Sequence, residues 1–176
     1  MKNFYMLDID PTTAKTEKIE ITHLFEQYIG GTGVAAALFD EIDPEIDPMS
    51  PEAPVIFACG PFSSVFPVAT KTVVMYKSPL SGNLGESHAG GRLAMAMYGA
   101  GYHVIRLRGK ADFPSTIEID GDSFKMSSAS SLRGMSALAT ERIVRDHYKS
   151  DYKRSIVRIG PAGERLSPIA CATVDS

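Results

Sequence analysis

Tryptophan is absent from the 176 residues, and cysteine occurs only at Cys59 and Cys171. Two thiols cannot form a four-cysteine zinc or iron-sulfur site, and so low a count fits a reducing compartment better than a disulfide-stapled secreted domain. Aromatic residues make up 9% of the chain, which does not indicate a platform for stacking single-stranded bases. Positive charge is not in excess: 18 Lys plus Arg stand against 21 Asp plus Glu, a net charge of −3, so nucleic acid is a poor partner. Nowhere do about 18 apolar residues run together, as a membrane span requires. The start, Met1 to Asp10, has no cleavage pattern and an acid inside its apolar stretch, so no secretory leader is expected. What is there, 44% hydrophobic and 22% charged residues, predicts one cytoplasmic, soluble domain over 1–176.

The charges are unevenly placed. Asp40 to Glu52 holds six acids, no base, and Pro44, Pro48 and Pro51, and is expected to form an exposed connection after a helix. The following stretch, Ala53 to Ala111, carries Lys71, Lys77, Arg92, Arg106, Arg108 and Lys110 against Glu86 alone. β-Branched and aromatic runs predict strands at Asn3–Asp8, Lys18–Ile21, Val55–Cys59, Thr72–Tyr76, Tyr102–Arg108, Thr116–Ile119, Phe124–Met126, Ser155–Ile159 and Ile169–Val174. Helical spacing of Val34, Leu38 and Ile42, of Leu93, Ala96, Met97 and Ala100, and of Met135, Leu138, Ala139 and Ile143 predicts three helices.

The order of these elements hints at duplication. A strand, a helix and an apolar strand closing on Gly60-Pro61 are matched by a strand, a helix and a strand closing on Gly160-Pro161. The expected fold is therefore α+β, with two similar β-rich halves about a pseudo-twofold axis. Each half would carry a main helix, within Ala14 to Ile42 and Gly121 to Tyr148.

Glycine is the strongest chemical signal. Gly30-Gly31-Thr32-Gly33 opens one helix, and Gly82, Gly85, Gly90 and Gly91 surround the start of another. Glycine admits close backbone approach to a ligand, and free N–H groups at helix starts attract anions; the alternative is two tight turns. The first cluster lacks the G-x-G-x-x-G register of a dinucleotide site. Gly85-Glu86-Ser87-His88-Ala89 approximates a nucleophile elbow, but Pro79 to Leu84 reads as a loop where the motif needs a strand. His23, His88, His103 and His147 show no metal-ligand spacing, and Cys59 ends an apolar strand where thiols are inert. Together these features point to an anionic ligand met by glycine-rich backbone and by Lys or Arg.

An ordered series of motifs adds to this reading. Gly30-Gly31-Thr32-Gly33, Asp47-Pro48-Met49-Ser50-Pro51-Glu52, Cys59-Gly60-Pro61, Lys77-Ser78-Pro79-Leu80-Ser81-Gly82, Gly90-Gly91, Ala100-Gly101-Tyr102, Gly109-Lys110-Ala111 and Ile159-Gly160-Pro161-Ala162-Gly163-Glu164 run along nearly the whole chain. In order and spacing the series resembles the N-terminal domain of the aldehyde ferredoxin oxidoreductases. The resemblance implies two similar β-rich halves forming the base for a tungsten or molybdenum bis-pterin cofactor. In that family the metal oxidises an aldehyde with water to a carboxylic acid, electrons pass to ferredoxin, and further helical domains carry the [4Fe-4S] cluster. No catalytic residue is implied on this chain. The implied cofactor-binding residues are Lys71, His88, Ala89, Gly90, Gly91 and Arg92, with the His88 backbone carbonyl as a ligand to Mg2+.

Three departures stand out. Thr32 replaces the Arg of the family's Gly-Gly-Arg-Gly. Lys71 replaces an Arg that contacts a pterin phosphate, keeping the charge without the planar fork. His88-Ala89-Gly90-Gly91 replaces Asn-Ser-Gly-Gly. In the family an Arg- and Gly-rich segment that completes the phosphate site follows the position of Ser176, so the chain is expected to be a piece that works with Fe-S and helical domains in cis or in trans. Two readings follow: a pterin-binding domain inactive toward aldehydes alone, or a degenerate, non-redox binding module with the inherited fold. An apolar patch left for other domains would also favour a homo-oligomer.

Overall fold

The computed structural model describes residues 3–148 and 154–175. Six strands build the main sheet: β1 (Tyr5–Asp10), β2 (Lys15–Glu20), β3 (Val55–Cys59), β4 (Thr72–Lys77), β5 (Leu84–Ala89) and β6 (Val104–Leu107). Their order is β2-β1-β6-β3-β4-β5, with β1 parallel to β6 and every other pair antiparallel. The central strands are apolar because both faces are covered, whereas β2 reads Lys-Thr-Glu-Lys-Ile-Glu and is almost wholly exposed. Charges on an edge strand discourage pairing with another chain.

One face of the sheet carries α1 (Thr22–Tyr28) and α2 (Gly31–Asp40). Val34, Ala35 and Leu38 of α2 pack on Ile56, Ala58, Val73 and Met75, completed by Met6, Phe25 and Val104. The opposite face carries α3 (Leu93–Gly99), whose Leu93, Ala94 and Met97 cover Cys59, Phe57 and Ile105. Beside it lies a hairpin of β7 (Ser115–Asp120) and β8 (Ser123–Ser128), with Ile117, Ile119 and Phe124 packed over Leu7, Ile9 and Tyr102. The remaining elements are a 3-10 turn (Ser130–Leu132), α4 (Ala137–His147), β9 (Val157–Arg158), α5 (Pro161–Glu164) and β10 (Thr173–Val174), with β9 and β10 forming a two-stranded ladder.

The structure is thus a mixed α/β arrangement with five α-helices among the described residues, two more than the apolar spacing predicts. Helix α1 was not expected because its seven residues bury only Phe25. The loop expected at Pro79 to Leu84 ends one residue early, for β5 begins at Leu84. Its polar sequence lacks β-branched residues, and it is a strand through its pairing with β4. The run at Ile169–Val174 shortens to Thr173–Val174, and that at Ser155–Ile159 to Val157–Arg158. The acid-rich connection is irregular and mostly exposed, as expected. It is pinned where Lys77 Nζ donates to the carbonyls of Pro44 (2.5 Å) and Ile46 (2.7 Å).

Candidate functional site

The antiparallel pairing of β4 with β5 organises the site. Val73 stands opposite His88 and Met75 opposite Glu86. Facing pairs share a side of the sheet, so Glu86 and His88 project on the side that carries α2. Thr32, in the first turn of α2, confirms this by donating to Glu86 Oε1 (3.1 Å), and His88 Nε2 lies 2.8 Å from that same oxygen. The first glycine cluster and β5 therefore meet through a Thr32–Glu86–His88 chain of contacts. Ser87 pairs with Val74 and projects on the other side, so it cannot reach His88 as a nucleophile reaches its base.

Backbone register adds a second feature. Ser78 N–H donates to Asn83 O (2.8 Å) just beyond the strand ends. Counting back by twos from that pair, the alternation of an antiparallel ladder turns the N–H and C=O of Glu86 and His88 away from β4. Because β5 is the last strand, those groups face an open edge. Lys71 lies just before β4 and Gly90 just after β5; a Cβ on Gly90 would stand 3.9 Å from Lys71 Nζ and meet nothing else within 4 Å.

The positive charge of the stretch Ala53 to Ala111 is largely committed internally. Arg106 grips Asp8 with two hydrogen bonds (2.9 and 2.6 Å), and Arg108 adds a third (3.0 Å). The Asp8 carboxylate holds the Arg106 guanidinium above its ordinary pKa. Lys77 serves the acidic connection, and Arg92 meets Asp175, its amide donating to Oδ2 (3.3 Å) and its Nε lying 3.9 Å away. Among the described residues, the side chains of Lys71 and Lys110 make no hydrogen bond or ion pair. Of the sequence-derived site residues, Lys71, His88, Ala89 and Gly90 gather along the β4–β5 edge. Gly91 and Arg92 continue from it, with Asp175 lying close to Gly91 and bonded to Arg92.

The glycines of the first cluster serve the chain's own packing. A Cβ on Gly31 would lie 3.1 Å from Ala58 O, and one on Gly33 only 2.7 Å from Tyr28 O. Gly30 has open space around its Cβ position. Sequence reasoning gave Glu86 no part, although it lies two residues from His88; a pair two apart on a strand shares one face, which was the available signal. No group of three or more His, Cys, Asp or Glu able to hold a metal exists among the described residues. Cys59 is buried, so the side chains do not fit an iron-sulfur cluster. The unengaged ammonium of Lys71, the open space at Gly90 and the outward backbone of His88 do fit a phosphate group.

A family model for "Aldehyde ferredoxin oxidoreductase, N-terminal domain" matches residues 6–176. The tungsten-containing aldehyde ferredoxin oxidoreductase of Pyrococcus furiosus is 33% identical over 174 residues, covering 98% of this chain and 28% of that protein. The enzyme of the same name from Pyrococcus horikoshii is 38% identical over 128 residues, covering 72% and 21%. In three dimensions the chain is similar to a solved structure of the active site complex BamBC of benzoyl coenzyme A reductase. The TM-score is 0.90 at 29% identity, over 98% of this chain and 27% of that one. The chain thus spans between a fifth and a third of the length of these relatives, and no helix among its described residues is long and apolar enough to cross a membrane. From the match over 6–176, this chain belongs to the aldehyde ferredoxin oxidoreductase family as its N-terminal domain.

Proposed function

We propose that the chain is a single pterin-binding domain, 1–176, of an oxidoreductase resembling the tungsten-dependent aldehyde ferredoxin oxidoreductases. The observation that carries this reading is Lys71, exposed and unengaged beside Gly90, in a chain that matches the family over residues 6–176. Lys71 would meet a pterin phosphate as a point charge. The outward carbonyl of His88 would serve Mg2+, and Ala89, Gly90 and Gly91 would offer backbone groups. The bis-pterin metal, tungsten or molybdenum, supplies the redox chemistry when bound; this chain's share is to seat the cofactor, orient it and exclude solvent from one face. The repeated order of hairpin, helix and strand ending on Gly-Pro supports the pseudo-twofold duplication. The family relation favours this reading over a degenerate module.

The relatives are several times longer, which supports the reading that further domains complete the enzyme. The [4Fe-4S] cluster, the second face of the cofactor and the route to ferredoxin would come from Fe-S and helical domains in cis or trans. Phe62, Val65, Phe66 and Val68 leave an exposed apolar loop of the kind that such domains or a second copy cover. The chain alone is then expected not to oxidise aldehydes. The test is aldehyde-dependent viologen reduction by the purified chain supplied with metal and pterin. Turnover that appears only after addition of a cysteine-bearing partner supports the reading, and robust turnover without one overturns it.

A further inference from the structure

The C-terminal segment returns to the candidate site and places one carboxylate there. Asp175 Oδ2 accepts from the Arg92 amide (3.3 Å) and from Ser155 Oγ (2.9 Å), with Arg92 Nε 3.9 Å away. Oδ1 accepts from the Ile156 amide (3.0 Å), and the Asp175 amide donates to Ile156 O (3.1 Å). The side chain is only 11% exposed. A carboxylate so withdrawn from water is held by its donors, because losing them would leave the charge desolvated and unpaired. The opposing residue is equally constrained. Gly91 has φ +80°, and a Cβ there would lie 3.4 Å from Asp175 Oδ2. Asp175 itself has φ +44°, a left-handed conformation that Asp tolerates better than most residues.

We propose that Asp175 is a positioning residue that clasps the Gly90-Gly91 turn from the far end of the chain. It joins two pieces remote in sequence: the short turn from the end of β5 to the start of α3, and the strand pair β9–β10. With Arg92 drawn onto Asp175, Lys71 is left as the cation that faces an incoming anion, so the six candidate residues divide into a ligand-facing set and a clasped set. This assignment rests on reading the surface as a phosphate site. A competing reading makes Asp175 an internal stand-in for the ligand's anion, which would have to leave before phosphate binds. The two differ in sign: removing the charge weakens anion binding if Asp175 positions the turn, and strengthens it if Asp175 competes.

The experiment compares the unaltered protein with Asp175→Asn and with the milder Ser155→Ala, which removes one donor to the same oxygen. It reads hydrogen exchange of the Arg92 amide and the affinity for pyrophosphate, used as the probe. We expect Arg92 exchange to rise about tenfold in Asp175→Asn and less in Ser155→Ala, with β1, β3 and β6 amides unchanged. Pyrophosphate should bind Asp175→Asn about fivefold more weakly, the worth of one good hydrogen bond, although a negative charge has been removed. Unchanged Arg92 exchange in both variants, or tighter pyrophosphate binding by Asp175→Asn, overturns the proposal. If the unaltered protein does not bind pyrophosphate while Arg92 exchange responds as stated, the phosphate reading and Lys71's ligand-facing role fail, and the clasp stands as a structural link.

Discussion

Cys59 closes β3 with its Sγ 3.4 Å from His103 O and no exposed surface, while Cys171 is exposed. Burial pushes the Cys59 thiol up from 9.0 to about 11, so the reactive thiolate is scarce until pH approaches that value. Iodoacetamide should therefore modify Cys171 and spare Cys59 in the native protein near neutral pH, with Cys59 labelling only as pH rises toward about 11 or on denaturation. Equal native labelling of the two by peptide mass spectrometry would contradict the buried placement. The linkage has the same sign: the folded state holds the thiol proton more tightly, so this contribution is complete below 9.0 and is lost as pH rises through about 11. The placement was legible in the sequence, because Cys59 ends a short apolar run followed by Gly-Pro. The Asp8–Arg106 grip was not, since the two are 98 positions apart and meet only because β1 lies parallel to β6.

Helix α4 shows how charge holds an element. Its N-cap, Ser136, accepts from the Ala139 amide (3.2 Å), a cap worth roughly 1 kcal/mol. Its one buried residue is Glu141, bridging Arg145 and Arg158 at 2.5 Å each. Arg158 lies on β9 and also donates to Ala137 O (3.0 Å), so the ion pair fastens α4 to the β9–β10 ladder. Glu141→Ala would leave Arg158 buried without its counter-charge, and breaking such a pair costs about 3–5 kcal/mol. Thermal melting should show that loss; a change within error would mean Glu141 does not anchor α4. Periodicity located this helix without revealing what it buries, because apolar spacing cannot see an acid paired from another strand. Strand β5 escaped for a related reason: only its partner β4 makes it a strand.

Across the whole molecule, the glycine-started helix, the β4–β5 edge and the returning C-terminal segment converge on one end of the sheet. Residue order alone indicated glycine-rich backbone and a cation at this place. The division of cations into committed ones and the unengaged Lys71 and Lys110, of which Lys71 lies beside Gly90, required the fold. If the end of the sheet seats a pterin cofactor, Lys71 carries the phosphate contact, and a charge-assisted hydrogen bond lost there is worth about tenfold or more in binding. The direct measurement loads the purified protein and its Lys71→Ala variant with tungsten and pterin. It then follows the pterin and metal that stay with each through gel filtration, by pterin fluorescence after oxidation and by elemental analysis. Retention of both by the unaltered protein, with most of it lost in a Lys71→Ala variant of unchanged melting temperature, is the predicted result. Equal retention by the two proteins, or none by either, would contradict it.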